Sequence, residues 1–200
     1  MRNLITLLIL PLVMTTLACS ESLTFTAGEI DIINWNDSIK IMKLYIVDNP
    51  SDTTVLREIA PDLNKADISS EHFIKLKERM LATVQDSTNP GVGLAAPQVG
   101  VSKRLIVVQR LDKRGEPYKF YINPRIEFYS SECELGPEGC LSVPGMSGEV
   151  MRSKKIVVSY TDEKSFKTRR DTVEGYTAVI FQHEIDHLEG ILYTDRISAN

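Results

Sequence analysis

Five residues near the C-terminus constrain this chain more than any other feature: His183-Glu184-Ile185-Asp186-His187. On a helix, positions four apart lie on one face a turn apart, so both imidazoles reach the same metal ion. Glu184 then stands beside the ion, placed to act on a water bound there. Two of the chain's three histidines fall in this segment, which weighs against coincidence. The pattern demands a helix, read here as running from about Gly175 to Leu188 and ended by Gly190.

A catalytic site of this kind takes three protein ligands and keeps one position for water. Glu189 and Asp195 are the only acidic residues after His187, and no histidine follows it, so the third ligand comes from upstream. Cys140 is the best candidate, in Glu138-Gly139-Cys140-Leu141-Ser142-Val143-Pro144. A thiolate with two imidazoles suits Zn²⁺ or Fe²⁺. The competing reading pairs Cys140 with Cys133 in a disulfide and removes the ligand. A third segment, Gly91-Val92-Gly93-Leu94-Ala95-Ala96-Pro97-Gln98, lacks the lysine of a phosphate loop and the dinucleotide-binding pattern. Its small residues let backbone lie close against a ligand, and Gln98 offers an amide donor to a developing oxyanion.

The remainder of the chain fits one domain. Its 200 residues bury one core, and the 42% hydrophobic and 25% charged composition is that of an ordinary globular protein. A net charge of −4 argues against nucleic acid as a partner. The short basic cluster Arg152, Lys154 and Lys155 reads as a solvated strand edge. The stripe Phe73, Leu76, Met80 and Val84 predicts a helix from about Ser70 to Gln85, with His72 as a surface residue on its flank. Strand-like runs follow at Leu105–Gln109, Phe120–Ile122 and Ile156–Tyr160. The order suggests an α+β domain.

The N-terminus is of another kind. Arg2 precedes an apolar stretch from Leu4 to Ala18, short for a bilayer span and closed by small residues beside Cys19. Residues 1–18 read as a signal peptide of lipoprotein type, with membrane attachment through a lipidated Cys19. Residues 19–40, polar and without clear periodicity, read as a tether, and residues 41–200 as the catalytic domain.

Taken together, the three segments resemble the signature motifs of the peptide deformylase family, in that family's order, and the similarity runs from about Ile41 to Ile197. The resemblance implies a single α+β domain with mixed or antiparallel strands packed around a C-terminal metal-binding helix. It implies Cys140, His183 and His187 as metal ligands and Glu184 as the catalytic acid/base. The Gln98 side chain and the Leu141 N–H would stabilise the oxyanion, and the Gly93 backbone would help hold the peptide. Val179 and Ile180 would line the pocket for the methionine side chain, with plain helix core as their other reading. Asp186 reads either as a partner of a ligand or as a solvent-facing helix position.

The implied reaction is hydrolysis of N-formylmethionyl peptides with release of formate, using one divalent ion. Fe²⁺ is the family's default, and Zn²⁺ is the safer choice outside the cytoplasm. The leader places the chain in the bacterial envelope; translation from Met42 would instead give a cytoplasmic protein. Two rival classes are a tethered binder of metal or formyl peptides without turnover, and a general metalloprotease. The first is disfavoured by the complete set of catalytic residues, the second by the missing downstream ligand.

Overall fold

In a computed structural model, which describes residues 22–36, 40–88 and 90–197, the first helices are α1 (Ala27–Asn34), α2 (Pro50–Leu56), α3 (Lys65–Ile68) and α4 (Glu71–Val84). The Ser70 hydroxyl caps α4 by accepting the Phe73 N–H at 3.2 Å. All four residues of its predicted stripe are fully buried, and His72 beside them is half-buried.

Seven strands follow: β1 (Gly93–Ala95), β2 (Leu105–Gln109), β3 (Tyr118–Tyr129), β4 (Cys133–Cys140), β5 (Val143–Ser153), β6 (Lys155–Thr161) and β7 (Thr168–Glu174). The chain then enters α5 (Tyr176–Leu188). Five strands form one sheet in the order β1-β2-β3-β6-β7, and β4 pairs with β5 in a second. Every pair is antiparallel. The α+β reading holds, with antiparallel rather than mixed strands.

Alternation along β2 divides the core. Leu105 and Val107 face α1 and α4, joining Ile33, Phe73, Leu76 and Met80. Ile106 and Val108 face the other way, with Val158 and Val173, onto Ala178, Phe181 and Ile185 of α5. Helix α5 therefore lies on one face of the five-stranded sheet and α1 and α4 on the other. β2 reads as a continuous apolar run because it is covered on both sides.

Four strands escaped the sequence reading for physical reasons. β4 carries Gly136, Pro137 and Gly139, β7 is polar, β5 mixes both characters, and β1 is three residues long. Pro137 is tolerated because β4 lies in a two-stranded ribbon.

Two expectations need correction. The first concerns residues 22–36, read as tether, which carry α1 and pack on the body. Thr26 and Glu29 form a reciprocal capping box, with bonds of 3.2 and 2.8 Å. Ile33 is fully buried. The buried Arg79 guanidinium donates to the carbonyls of Ile32, Ile33 and Trp35 at 3.2, 2.8 and 2.9 Å. Lys103 Nζ donates to the Thr24 carbonyl at 2.7 Å, and the Thr24 N–H to Asp67 at 2.7 Å. Such partners are more than 40 positions away, and two turns are too short to show a period.

The second correction concerns the basic cluster. Lys154 and Lys155 do face solvent, but Arg152 is buried between Glu138 and Asp186. Residues 1–21, with the leader and Cys19, lie outside the described residues. Among the described residues no helix is long and apolar enough to cross a membrane.

Candidate metal centre

Helix α5 starts behind Gly175 at φ 63° and ends before Gly190 at φ 69°, both left-handed positions that favour glycine. Gly190 has a second reason: a Cβ there would stand 2.3 Å from the Arg57 carbonyl oxygen. Between these stops the helix buries His183, Glu184, Asp186 and His187. The two imidazoles lie a turn apart with ring centroids 5.1 Å apart.

Cys140 ends β4, where the pairing with β5 shifts register after Gly139, from Gly139 opposite Ser147 to Cys140 opposite Val143. That bulge turns the side chain toward α5. Its Sγ lies 3.2 Å from His187 Nε2, and one ligand atom from each of Cys140, His183 and His187 falls within 4.8 Å of the others. Both Cys133 and Cys140 are free. They sit at opposite ends of a strand roughly 23 Å long, far beyond disulfide reach.

Glu138 was missed in the sequence reading. Its Oε2 lies 2.7 Å from His183 Nδ1, which leaves Nε2 of that ring for an ion. Arg152 grips Glu138 through Nε at 2.7 Å and Nη2 at 3.0 Å, and reaches Asp186 through Nη1 at 2.6 Å. Arg196 closes on Asp186 from the other side. Asp186 is thus buried and ion-paired rather than solvent-facing. Strand alternation does not lead from Cys140 to Glu138, because the register shift after Gly139 breaks the two-residue period between them. Tyr193, also missed, stacks on His183 with centroids 6.0 Å apart.

Electrostatics set these groups apart. Burial pulls the His183 imidazole down, but its bonds to Cys140 and Glu138 outweigh burial and push it up to about 10. Burial, reinforced by the charges of His183 and Arg152, drives His187 well below its ordinary value. Protonation is therefore favoured on the ring that meets Glu138 and disfavoured on the other. Burial also raises the Glu184 carboxyl to about 7.

The donor set fits a divalent metal. One sulfur and two ring nitrogens converge, Glu138 orients one ring, and Glu184 Oε2 and His187 Nδ1 have no hydrogen-bond partner among the described residues. A cavity of about 410 Å³ opens beside these groups, lined by Gly93, Gln98, Leu141, Val179, Ile180 and Glu184 among others. Gln98 follows β1 in a 3-10 turn, where its Oε1 accepts the Ala95 N–H at 2.8 Å. Its Nε2 donates to Ser142 Oγ at 3.2 Å and to Cys140 Sγ at 3.5 Å, which aims the amide at the sulfur. Ile180 also belongs to the core, so wall and core are both true of it. All nine residues expected of the site are brought to one place.

A His-Glu-x-x-His helix with an upstream cysteine on an α+β fold defines a metal-dependent hydrolase. The sequence profile of the polypeptide deformylase family matches residues 41–200, and this chain belongs to that family. The peptide deformylase of Symbiobacterium thermophilum is 50% identical over 153 residues, covering 76% of this chain and 66% of the relative. That of Leptospira biflexa is 38% identical over 166 residues, covering 80% of this chain and 89% of the relative. The crystal structure of the Thermotoga maritima peptide deformylase superposes with a TM-score of 0.68 at 39% identity, covering 80% of this chain and 99% of that one. A Met-Ala-Ser-bound deformylase from Acinetobacter baumannii gives 0.68 at 34% identity, covering 78% and 98%.

Proposed function

We propose that this chain removes the formyl group from the N-terminal methionine of formylated peptides, using Cys140, His183 and His187 as metal ligands. As a member of the deformylase family it is a hydrolase acting on N-formylmethionyl peptides. The observation that carries the residue assignment is the approach of one sulfur and two ring nitrogens within 4.8 Å, beside a buried carboxyl and a cavity.

A divalent ion held there, Fe²⁺ or Zn²⁺, supplies a Lewis acid that makes water nucleophilic near neutral pH. Glu184, raised to about 7, is poised to take a proton from water and pass it to the departing amine nitrogen. Water oxygen bonds to the formyl carbon, the carbon–nitrogen bond breaks, and formate and a free amine leave. Gln98 Nε2 and the Leu141 N–H donate to the developing oxyanion. Val179 and Ile180 receive the methionine side chain. β1 is the outer strand of its sheet, and an extended peptide can align along it past the Gly93 backbone. The Acinetobacter relative binds Met-Ala-Ser, the peptide that remains when formyl-Met-Ala-Ser is deformylated.

Formate release from formyl-Met-Ala-Ser by the Fe²⁺- or Zn²⁺-loaded protein tests this function, and turnover with neither ion overturns it. Metal analysis of protein from its native host decides between the two ions.

Location is a separate proposal. The apolar leader of residues 1–18 supports export, with Cys19 as lipid anchor. A start at Met42 would strip α1 from the core and take from Arg79 its bonds to the carbonyls of Ile32, Ile33, Trp35 and Lys40. The intact mass of the native protein decides: a lipidated Cys19 supports export, and an N-terminus at Met42 ends it.

A further inference from the structure

We infer that Gly93 is a positioning residue for Glu184: the space where its side chain would be is the seat of the catalytic carboxyl. This rests on Glu184 being the acid/base, and it adds to the peptide-holding role that the resemblance gives the Gly93 backbone. A Cβ built on Gly93 would stand 2.4 Å from Glu184 Oε1 and 2.8 Å from both Cδ and Cγ, closer than the 3.0 Å below which real Cβ contacts essentially never occur.

The strand is not free to retreat, so the side chain must give. Gly93 pairs with Val108 in register, and the next residues of β1, Leu94 and Ala95, are fully buried. Glu184 is itself buried, on a helix whose neighbouring residues pack into the core. Gly93 is absent from the positive-φ glycines, so space rather than backbone conformation demands glycine here. Gly91, two residues earlier, shows the contrast. Its Cβ would meet the side-chain ends of Leu141 and Val84 and the Gly93 carbonyl oxygen at 3.3 Å, contacts that a give of a few tenths of an ångström would relieve. A methyl group at position 93 therefore has one outlet, which is to displace the Glu184 carboxyl from its present place.

The test is a double-mutant cycle in the full, metal-loaded chain, read by formate release and by thermal midpoint. Displacing a reacting group by about 1 Å costs on the order of 10²-fold. Gly93→Ala should thus lower kcat about 10²-fold with KM changed less than about 3-fold and metal content unchanged. Gly136→Ala, where a Cβ meets nothing within 4 Å, is the control and should leave kcat in place.

In thermal melts Gly93→Ala should lower the midpoint, and adding Glu184→Ala, which empties the seat, should restore most of that loss. A rise in KM at unchanged kcat would show that Gly93 serves only the peptide backbone and would overturn the inference. So would melting losses that simply add in the double variant. Absence of formate release from the unmodified protein would sink the functional reading instead, while the melting cycle would still decide the seat.

Discussion

Glu138 shows how much one side chain carries. Burial alone would raise its carboxyl, but bonds from His183 and Arg152 bring it from 4.5 down to about 2. A carboxyl lowered on folding stabilises the fold above its unfolded value of 4.5, and that stability is lost as pH falls through about 2. The shift corresponds to roughly 3 kcal/mol. Acid titration of thermal midpoints should therefore show the unmodified protein losing about that much more between pH 5 and 2 than Glu138→Gln. The same variant frees the His183 ring and should weaken metal affinity about 10–100-fold in a chelator competition. In the proposed mechanism Gln98 acts on the reaction rather than on the ion. Gln98→Ala removes one oxyanion donor and should cost about 10²–10³-fold in kcat, with the protein still folded by circular dichroism.

Among the elements, α1 makes the clearest claim of its own. A tether would exchange its amide protons freely, whereas a helix packed through Ile33 and clasped by Arg79 should protect the amides of 30–34 as well as those of α4. Ile33→Ala empties a fully buried site and should cost about 2–5 kcal/mol. At this chain length each kcal/mol lowers the midpoint by about 2–4 °C, so a calorimetric scan resolves the effect. An unchanged midpoint would return the segment to tether. β4 and β5 make a different contribution. Their ribbon presents Cys140 at its bulged end, against His187, and Glu138 two residues before it, against the His183 ring.

For the whole molecule, a metal held as proposed would be the tie between halves that the sheet otherwise separates in sequence. It would join the end of β4 to α5, 43 and 47 positions along, and binding to the native state alone would stabilise that state by mass action. Removing it with a chelator should abolish formate release and lower the thermal midpoint together, and Fe²⁺ or Zn²⁺ should restore both. Thiol titration offers an independent check. Cys133 is exposed and should react in either state, whereas Cys140 should add one further reactive thiol per chain only after chelation.

Much of this protein was legible from local pattern. The helical spacing of His183 and His187, the apolar stripe of α4 and the run Leu105–Gln109 are short-range signals, because one turn or one pleat fixes which residues share a face. The chemistry of the centre followed from residue types, since sulfur and imidazole suit the same ions in any fold. What depended on tertiary structure was every relation between distant segments. Nothing near Arg152 in the chain distinguishes a surface cation from one buried between Glu138 and Asp186. Nothing near Ile33 announces α4, and nothing in Gly93 names Glu184 as the group that fills its empty side. Burial and partnership are properties of two segments brought together, and a single segment cannot encode where its partner will lie.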